Sequence, residues 1–366
     1  MGIGRFIVNT GEKVSRFFAY GIKNRYYKTL FNKQMARDFV GINDKLSQEY
    51  KKKIDDLWVK RYKVKVDKRW FAHYTHCFGL ESSYFIPDNI FHSIIEPYFN
   101  KDEYVSLLSN KNFFEKWLPN VKHAVTIARN IKGVWYDKDF NCITVKQVLD
   151  KISGYDEFVA KQCVDSAGGA GVVFVSEKLD EKKLLELSNK FTDDFIFQEV
   201  LKQHRCLSEI NASSVNTMRL MTFNHNGKIC LLSALLRMGI NGKRVDNMVS
   251  GGVNCAILSN GKLCNKLYNA TGELFIGHPN TGSLEDKQIV NFENVVKTAL
   301  EAHKQLPYMG IVSWDFALDE NAEPILIEFN LKPQGLDLHQ RENGPIFGDM
   351  TVEVLDEIFL RKGKNV

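Results

Sequence analysis

Residues 313–330 constrain the fold of this chain more than any other stretch, because they predict two β-strands joined by one short polar turn, Asp319 to Pro324. Side chains alternate along a strand, so a hairpin symmetric about residues 321 and 322 places Asp315 directly opposite Glu328. Asn330 then points to the same face as this pair. The opposite face, which we expect to belong to the core, carries Trp314, Phe316, Ile327 and Phe329.

The polar face of this hairpin predicts a metal site. Like charges directly opposite each other destabilise a sheet unless a counter-charge lies between them. Carboxylate and amide oxygens are the hard ligands that Mg²⁺ takes together with phosphate oxygens and water. An ordinary solvated face is the alternative interpretation. Because Asn330 shares the face of both carboxylates, we favour a Mg²⁺ site formed by Asp315, Glu328 and Asn330.

A glycine-rich loop at residues 166–171 lies between an alternating strand and the apolar run Val172 to Val175. A Walker A loop and a dinucleotide fingerprint both open a helix, so neither describes this loop. The tip of a strand–glycine loop–strand hairpin can fold over phosphates and offer them backbone N–H groups. Lys161, on the incoming strand, would then lie beside an α- or β-phosphate. The glycines alone also allow a plain structural turn.

The pattern of the chain changes near Pro119. Before it, mixed charges with spaced apolar residues predict a mostly helical region with a basic, aromatic-rich start. After it, short β-rich runs alternate with Gly, Asn and Asp turns, which predicts an α+β body. A length of 366 residues also suits two or three domains. We predict three segments, at residues 1–120, 121–201 and 202–366.

The positive charge of the chain belongs to its first 70 residues. They hold 18 Lys and Arg against 7 Asp and Glu, a net charge of +11, whereas the whole chain carries +5 and the remainder therefore −6. Aromatic residues are interleaved with the basic ones. We favour a segment that packs its aromatic side on the body of the protein, with an anionic membrane surface as the alternative. No nucleic-acid motif accompanies the charge, so we expect no nucleic-acid partner.

Several protein classes are excluded. Seven scattered cysteines without a CxxC pair argue against a zinc knuckle and favour a reducing cytoplasm. No apolar run has the ~18 residues of a membrane span, and the N-terminus lacks the apolar stretch of a secretory signal. The absence of a Gly-x-Ser-x-Gly motif gives acyl-enzyme chemistry no support. We expect a cytoplasmic protein, with peripheral contact at the cytoplasmic membrane face left open.

Lys161, the glycine loop and the acidic hairpin of residues 313–330 follow one another in this order along the chain. Together these motifs resemble the ATP-grasp superfamily, in which two α+β subdomains grip a nucleotide. Three further stretches resemble the sugar-transfer-associated ATP-grasp family of surface-polysaccharide biosynthesis: Ser214 to Arg219, Asp246-Asn247 followed by Gly251-Gly252, and Ile327 to Asn330. The resemblance covers about residues 60 to 350. It implies an α+β ATP-grasp fold with a mostly helical N-terminal region, and it implies ATP and two Mg²⁺ ions as cofactors.

The resemblance also implies roles for individual residues. Lys161 and Arg219 match catalytic positions, although an inward arginine is also often a paired structural residue. Lys111 and Lys116 compete for the place of an earlier phosphate-binding lysine, and Glu328 matches a ligand that bridges two Mg²⁺ ions. The implied nucleotide-binding set is Lys111, Lys116, Lys161, Ser166, Gly168, Gly169, Gly171, Gln198, Glu199, Val200, Leu201 and His204. The implied substrate set is Asn216, Arg219, Asp246, Asn247, Gly251, Gly252 and Gln334.

ATP-grasp enzymes usually activate a carboxylate as an acyl-phosphate and then join it to an amine. The resemblance therefore implies an ADP-forming carboxylate–amine ligase, with a sugar acid of a capsule or other surface polysaccharide as the carboxylate. An ATP-dependent phosphotransferase on the same scaffold, acting on a small molecule or a sugar, is the second interpretation. A non-catalytic module that binds nucleotides or glycans is the third.

Overall fold

The computed structural model describes residues 25–26, 29, 46–164, 171–192, 194–248 and 251–360. Most of the basic start of the chain lies outside these residues, so both interpretations of that segment stay open. Ser166, Gly168 and Gly169 of the glycine loop also lie outside them, and their role stays a prediction. Within the described part of the chain, no helix is long and apolar enough to cross a membrane.

In the described part of the chain, helices precede residue 119, and strands and helices alternate after it, as the sequence predicted. The α-helices are α1 (Gln48–Ile54), α2 (Arg69–Phe78), α3 (Asp88–Ile90), α4 (Glu96–Phe99), α5 (Asp102–Leu108), α6 (Phe114–Trp117), α7 (Val145–Ile152), α8 (Glu181–Ser188), α9 (Arg205–Ser208), α10 (Phe292–Lys304), α11 (Leu336–Asn343) and α12 (Thr351–Phe359). Short π-helical or 3₁₀ segments are Asp55–Arg61, Phe91–Ile95, Lys111–Phe113 and Gly348–Met350. The strands are β1 (Thr126–Ile131), β2 (Val134–Tyr136), β3 (Phe158–Gln162), β4 (Val172–Val175), β5 (Phe195–Glu199), β6 (Thr217–His225), β7 (Lys228–Met238), β8 (Val253–Ala256), β9 (Lys266–Asn269), β10 (Leu274–Ile276), β11 (Ile311–Leu318) and β12 (Pro324–Asn330).

The chain forms two compact units. One consists of residues 1–99 together with 335–366, and the other consists of residues 100–334. The division into functional segments at residues 120 and 201 stays a prediction.

The first unit is helical in its described part and combines both ends of the chain. Its core is rich in large aromatic side chains, of which Trp58, Phe71 and Phe85 are fully buried. The amide of Gln340 accepts from the Ile86 N–H at 2.9 Å and donates to the Ile86 carbonyl at 2.8 Å. Two segments that are far apart in sequence are therefore held by a buried pair of hydrogen bonds.

The second unit contains two antiparallel sheets. The five-stranded sheet has the order β2-β1-β5-β3-β4, and the seven-stranded sheet has the order β10-β9-β8-β7-β6-β11-β12. Apolar faces of α7 and α8 pack on the smaller sheet, and α10 packs on the larger one. Each helix buries one apolar side against a sheet, as an amphipathic surface helix does. The α+β prediction is confirmed.

The β11–β12 hairpin has the predicted register at its acidic pair, since Asp315 lies opposite Glu328. One detail of the prediction is wrong. Phe316 pairs with Leu326, so Ile327 is an extra residue in a β-bulge on β12. The bulge turns Leu326 into the core and leaves Ile327 on the side of Glu328, where it lines a cleft.

Candidate active site

A cleft that is open to solvent lies in the second unit and is lined by residues of both sheets. Apolar and charged side chains both contribute to its lining. Several side chains singled out from the sequence line it. They are Lys111, Lys161, Glu199, Val200, Leu201, Asp246, Asn247, Asp315 and Glu328.

The apolar part of the cleft comes from alternate positions of β3 and β4 and from the chain after β5. In β3, Phe158 and Ala160 face the core between the five-stranded sheet and its helices, while Val159 and Lys161 line the cleft. The remaining apolar lining residues are Ala124, Val172, Phe174, Val200, Leu201, Val215 and Ile327. Val159 was missed in the sequence analysis, although its spacing of two residues from Lys161 was the available signal.

The polar part is centred on Asp315, which is almost fully buried. Arg219 lies opposite Asp315 on the neighbouring strand and binds both of its oxygens, through Nε at 2.8 Å and Nη2 at 2.6 Å. The Nη1 atom of Arg237 donates to the same carboxylate at 3.1 Å. Arg219 thus contacts Asp315 directly, and Asp315 receives charge-assisted hydrogen bonds from two strands.

Arg237 was missed in the sequence analysis. It is the charged residue inside the apolar run of β7, and that contrast was the available signal. Besides Asp315, it reaches Asp246, with 3.6 Å between Nη2 and Oδ1. Asp246 in turn accepts hydrogen bonds from the backbone N–H and the hydroxyl of Thr217. One guanidinium therefore joins the metal candidate Asp315 to the substrate candidate Asp246.

Two lysines complete the polar part. The Nζ atom of Lys111 lies 3.2 Å from Oε2 of Glu328. Burial and, to a smaller extent, the nearby Lys111 lower the pKa of Lys161 to about 8, although the carboxylate of Glu328 opposes both effects. Lys161 therefore carries its proton below about pH 8 and can neutralise an anionic ligand there.

The carboxylates of the site differ in their protonation behaviour. Burial would raise the pKa of Asp315, but Arg219 and Arg237 outweigh it and hold the pKa below its ordinary value. For Asp246 burial is the stronger effect, and its pKa is raised despite Arg237 and Thr217. Lys111, Lys161 and Arg237 lie among Asp246, Asp315 and Glu328, and Arg244 and Glu199 also line the cleft. The ammonium and guanidinium groups of this lining can donate hydrogen bonds to an anionic ligand such as a phosphate group.

The predicted metal ligands come together in the structure. The Nδ2 atom of Asn330 lies 3.4 Å from oxygens of both Asp315 and Glu328. Two carboxylates and an amide are a donor set that fits Mg²⁺. Among the described residues, no group of three His, Cys, Asp or Glu side chains could hold a metal ion. A metal at this place would therefore rely on the amide oxygen of Asn330, on water and on ligand oxygens.

Other predicted side chains lie away from the cleft. The ammonium of Lys116 lies 3.7 Å above the ring centroid of Phe140. His204 accepts a hydrogen bond from the Cys206 N–H at the start of α9. Gln198 donates weakly to the Ala124 carbonyl at 3.5 Å. Their roles in nucleotide binding stay predictions.

Two predicted substrate residues are fully buried and bind the protein itself. Asn216 donates to the carbonyls of Leu207 and Asn211 at 2.9 and 2.8 Å. Gln334 accepts from the Ser313 hydroxyl and donates to backbone carbonyls. Both amides hold the frame of the site in this structure. Their predicted contact with substrate stays a prediction.

Two of the predicted glycines allow backbone segments to approach closely. Gly171 has a φ of +80°, and a Cβ atom there would lie 2.8 Å from Cβ of Gln162. A Cβ atom on Gly252 would lie 2.5 Å from the carbonyl oxygen of Asp246. Gly251, its neighbour, also has positive φ, at +95°. These glycines are required by the conformation of the chain around the cleft.

One family model matches the chain. The model of the sugar-transfer-associated ATP-grasp family matches residues 91–350, which is more than half of the chain. The chain belongs to this family. The match begins later than residue 60, from which the resemblance was expected. The predicted ATP-grasp fold is confirmed, with two sheets and, over the described residues 46–120, a mostly helical region before them.

Solved structures are similar at low sequence identity. N5-carboxyaminoimidazole synthetase from Staphylococcus aureus, complexed with ADP, is 14% identical over 69% of this chain and 51% of its own, with a TM-score of 0.39. Biotin carboxylase from Campylobacter jejuni is 12% identical over 72% and 48%, with a TM-score of 0.42. L-amino acid ligase from Bacillus licheniformis is 16% identical over 69% and 48%, with a TM-score of 0.40. The chain spans about half the length of each of these proteins. No curated protein matches the chain in sequence.

Proposed function

We propose that this chain is an ATP- and Mg²⁺-dependent ligase that activates a carboxylate as an acyl-phosphate and joins it to an amine. The observation that carries the proposal is that Lys111, Lys161 and Arg237 lie among Asp246, Asp315 and Glu328 in a cleft that apolar side chains also line. In this proposal the apolar lining side chains contact the base, and the lysine and arginine side chains contact the triphosphate. Membership of the ATP-grasp family supports the same ligand.

In this proposal each charged side chain has a defined task. Lys161 and Lys111 neutralise phosphate oxygens, and Arg219 and Arg237 stabilise the negative charge that develops during transfer. Asp315, Glu328 and Asn330 would hold Mg²⁺. When bound, Mg²⁺ supplies further charge neutralisation at the phosphate oxygens.

The proposed chemistry requires alignment and no protein nucleophile. An oxygen of the substrate carboxylate attacks the γ-phosphorus of ATP, the bond from that phosphorus to the β-phosphate oxygen breaks, and ADP leaves. The amine nitrogen then attacks the acyl carbon, the bond from that carbon to the phosphate oxygen breaks, and phosphate leaves while the amine gives a proton to solvent. Such reactions depend mainly on positioning and electrostatic stabilisation.

The finer assignments belong to the same proposal. A sugar acid, such as a uronic acid of a capsule or other surface polysaccharide, is the proposed carboxylate, because the family is associated with sugar transfer. We place the reaction in the cytoplasm, where ATP is available and seven free cysteines are stable. The chain segments 121–201 and 202–366 are the proposed subdomains on either side of the nucleotide.

The test supplies ATP, Mg²⁺, uronic acids, nucleotide-linked uronic acids and pooled amines to the purified chain. ADP, free phosphate and a new condensed mass, followed by NMR and mass spectrometry, are the expected products. If the products are ADP and a phosphorylated substrate without free phosphate, the chain is a phosphotransferase and the ligase proposal is wrong. Failure to bind an ATP analogue in calorimetry would overturn the nucleotide assignment itself.

Variants of the cleft make this test specific. We expect Lys161→Met to lower the rate by about 100-fold, because a phosphate charge loses its partner. Lys111→Met and Lys116→Met form a pair that decides between the two competing lysines. The larger loss is expected for Lys111→Met, since its ammonium lies beside Glu328 in the cleft. A larger loss of rate for Lys116→Met would assign the phosphate contact to Lys116.

A further inference from the structure

A side chain outside the charged cluster crosses the cleft. Arg244 lies in the segment 239–248, which we name the acceptor loop because it carries Asp246 and Asn247. Its Nη1 and Nη2 atoms lie 2.5 and 2.7 Å from the two carboxylate oxygens of Glu157. Glu157 directly precedes β3, the strand of Lys161. The two ends of this ion pair therefore belong to the two sides of the cleft.

A second contact fixes the orientation of the same guanidinium. Its carbon atom lies 3.8 Å from the ring centroid of Phe174 on β4. Phe174 pairs with Val159 across the β3–β4 ladder, and both line the cleft. An arginine that is bidentate to a carboxylate and stacked on an aromatic ring has one defined geometry, which a lysine could not reproduce.

The base of the acceptor loop is held by its own backbone. A Cβ atom on Gly239 would lie 2.8 Å from the Val245 carbonyl, so the loop folds back closely on its start. At the other side, Asp246 is bound by Thr217 and Arg237, as described above. Arg244 thus projects from a loop whose base is fixed, and its guanidinium contacts the five-stranded sheet at Phe174.

We propose that Arg244 is a positioning residue that couples the acceptor loop to the sheet carrying Lys161, through its ion pair with Glu157 and its stacking on Phe174. The inference deepens the proposed function and rests on it, because it takes the cleft as a nucleotide site. Its consequence is that ATP held by the sheet also restrains the loop that presents Asp246 and Asn247 to the acceptor substrate. Binding of the first substrate then prepares the site of the second.

The strength of this coupling is set by exposure. The side chains of Arg244 and Glu157 are 46% and 28% exposed, so solvent weakens the ion pair. Bidentate geometry and the aromatic stack add to it. We therefore expect loss of the ion pair to lower the hydrogen-exchange protection of the acceptor loop by about fivefold, without loss of the fold.

Hydrogen exchange of the full chain, with and without a non-hydrolysable ATP analogue and Mg²⁺, tests the inference. In the wild type the analogue is expected to slow exchange both in β3 and in residues 239–248. In Arg244→Gln and in Glu157→Gln, β3 stays protected while the protection of the loop falls by about fivefold. Lys183→Gln is the control, because Lys183 is also 46% exposed and pairs with Glu177 away from the acceptor loop.

A charge exchange separates coupling from simple damage. The double variant Glu157→Arg with Arg244→Glu restores an ion pair of opposite polarity and is expected to recover at least half of the loop protection. Equal loop protection in Arg244→Gln and the wild type would overturn the inference, and so would failure of the double variant to recover it. If the analogue protects neither segment in the wild type, the proposed nucleotide site falls and the inference falls with it.

Discussion

At the scale of single residues, the cleft shows how buried charges are kept ionised by their partners. Burial alone would lower the pKa of Arg237, but the carboxylates of Asp246 and Asp315 outweigh it and raise that pKa. Asp315 keeps its negative charge for the reciprocal reason. Removing one member of such a group leaves an uncompensated charge in the interior, which costs far more than the net stability the group contributes.

A buried histidine of the second unit gives a prediction about pH. His303 is fully buried, with Nδ1 2.7 Å from the Thr222 hydroxyl and Nε2 2.9 Å from the Met309 carbonyl. Burial lowers its pKa from 6.5 to about 4. Between these values the folded protein keeps the ring neutral while the unfolded chain binds a proton, so stability is lost as the pH falls from 6.5 to 4. The shift corresponds to about 3 kcal/mol.

The measurement is urea unfolding at pH 7 and at pH 4. The free energy of unfolding should fall further for the wild type than for His303→Gln, by about 3 kcal/mol. His76→Gln, at an exposed histidine, is the control and should keep the wild-type pH dependence. An unchanged pH dependence in His303→Gln would contradict the assignment of this acid sensitivity to His303.

At the scale of elements, the β11–β12 hairpin combines a local turn with a distant partner. Oδ1 of Asp319 accepts from the backbone N–H groups of Asn321 and Glu323, each at 2.9 Å, so the turn is held within its own five residues. Ala322 sits in this turn at a φ of +61°. The cleft side of the same hairpin is held by Arg219 and Arg237, which belong to other strands.

The turn yields a prediction of increased stability. A non-glycine residue in the left-handed region is strained by about 1 kcal/mol, so Ala322→Gly should raise the free energy of unfolding by up to about that amount. Denaturant unfolding measures it. Ala317→Gly, in the fully buried strand β11, is the matched substitution and should lower stability instead. A loss of stability in Ala322→Gly would show that the methyl group of Ala322 matters more than the strain.

At the scale of the whole molecule, the first unit depends on contacts between the two ends of the described chain. Arg61 is bidentate to Asp356, at 3.0 and 2.6 Å, and Tyr62 donates to the same carboxylate at 2.8 Å. Gln340 and Ile86 are 254 residues apart and share two buried hydrogen bonds. Closing so long a loop is costly in entropy, and the gain comes from the packed aromatic core and these bonds.

Gln340 therefore provides a prediction for the first unit. Gln340→Met keeps the volume but leaves the N–H and C=O of Ile86 without these partners, which should cost about 2 kcal/mol. Hydrogen exchange in α2 and α11 reports the stability of this unit directly. Gln288→Met is the control, because Gln288 is bonded to the Asn260 carbonyl at an exposed site of the second unit and should cost much less. Equal effects of the two variants would contradict the prediction.

The sequence by itself determined the α+β class, the acidic pair of the hairpin and the family. These depend on alternation and turn residues within a few positions, or on motifs in a fixed order. The same alternation predicted the paired strands β3 and β4 around the glycine loop. It failed at Ile327, because one extra residue in a bulge exchanges the two faces of a strand, and no local pattern marks that residue.

Only the tertiary structure decided which side chains surround the acidic pair. Arg237 and Asp315 are 78 residues apart, and they meet because β6 lies between β7 and β11 in the larger sheet. Asn216 and Gln334 bind backbone groups that would otherwise be buried without partners, and their predicted contact with substrate stays a prediction. Strand order and the satisfaction of buried polar groups are properties of the whole fold, and the pattern of neighbouring residues does not contain them.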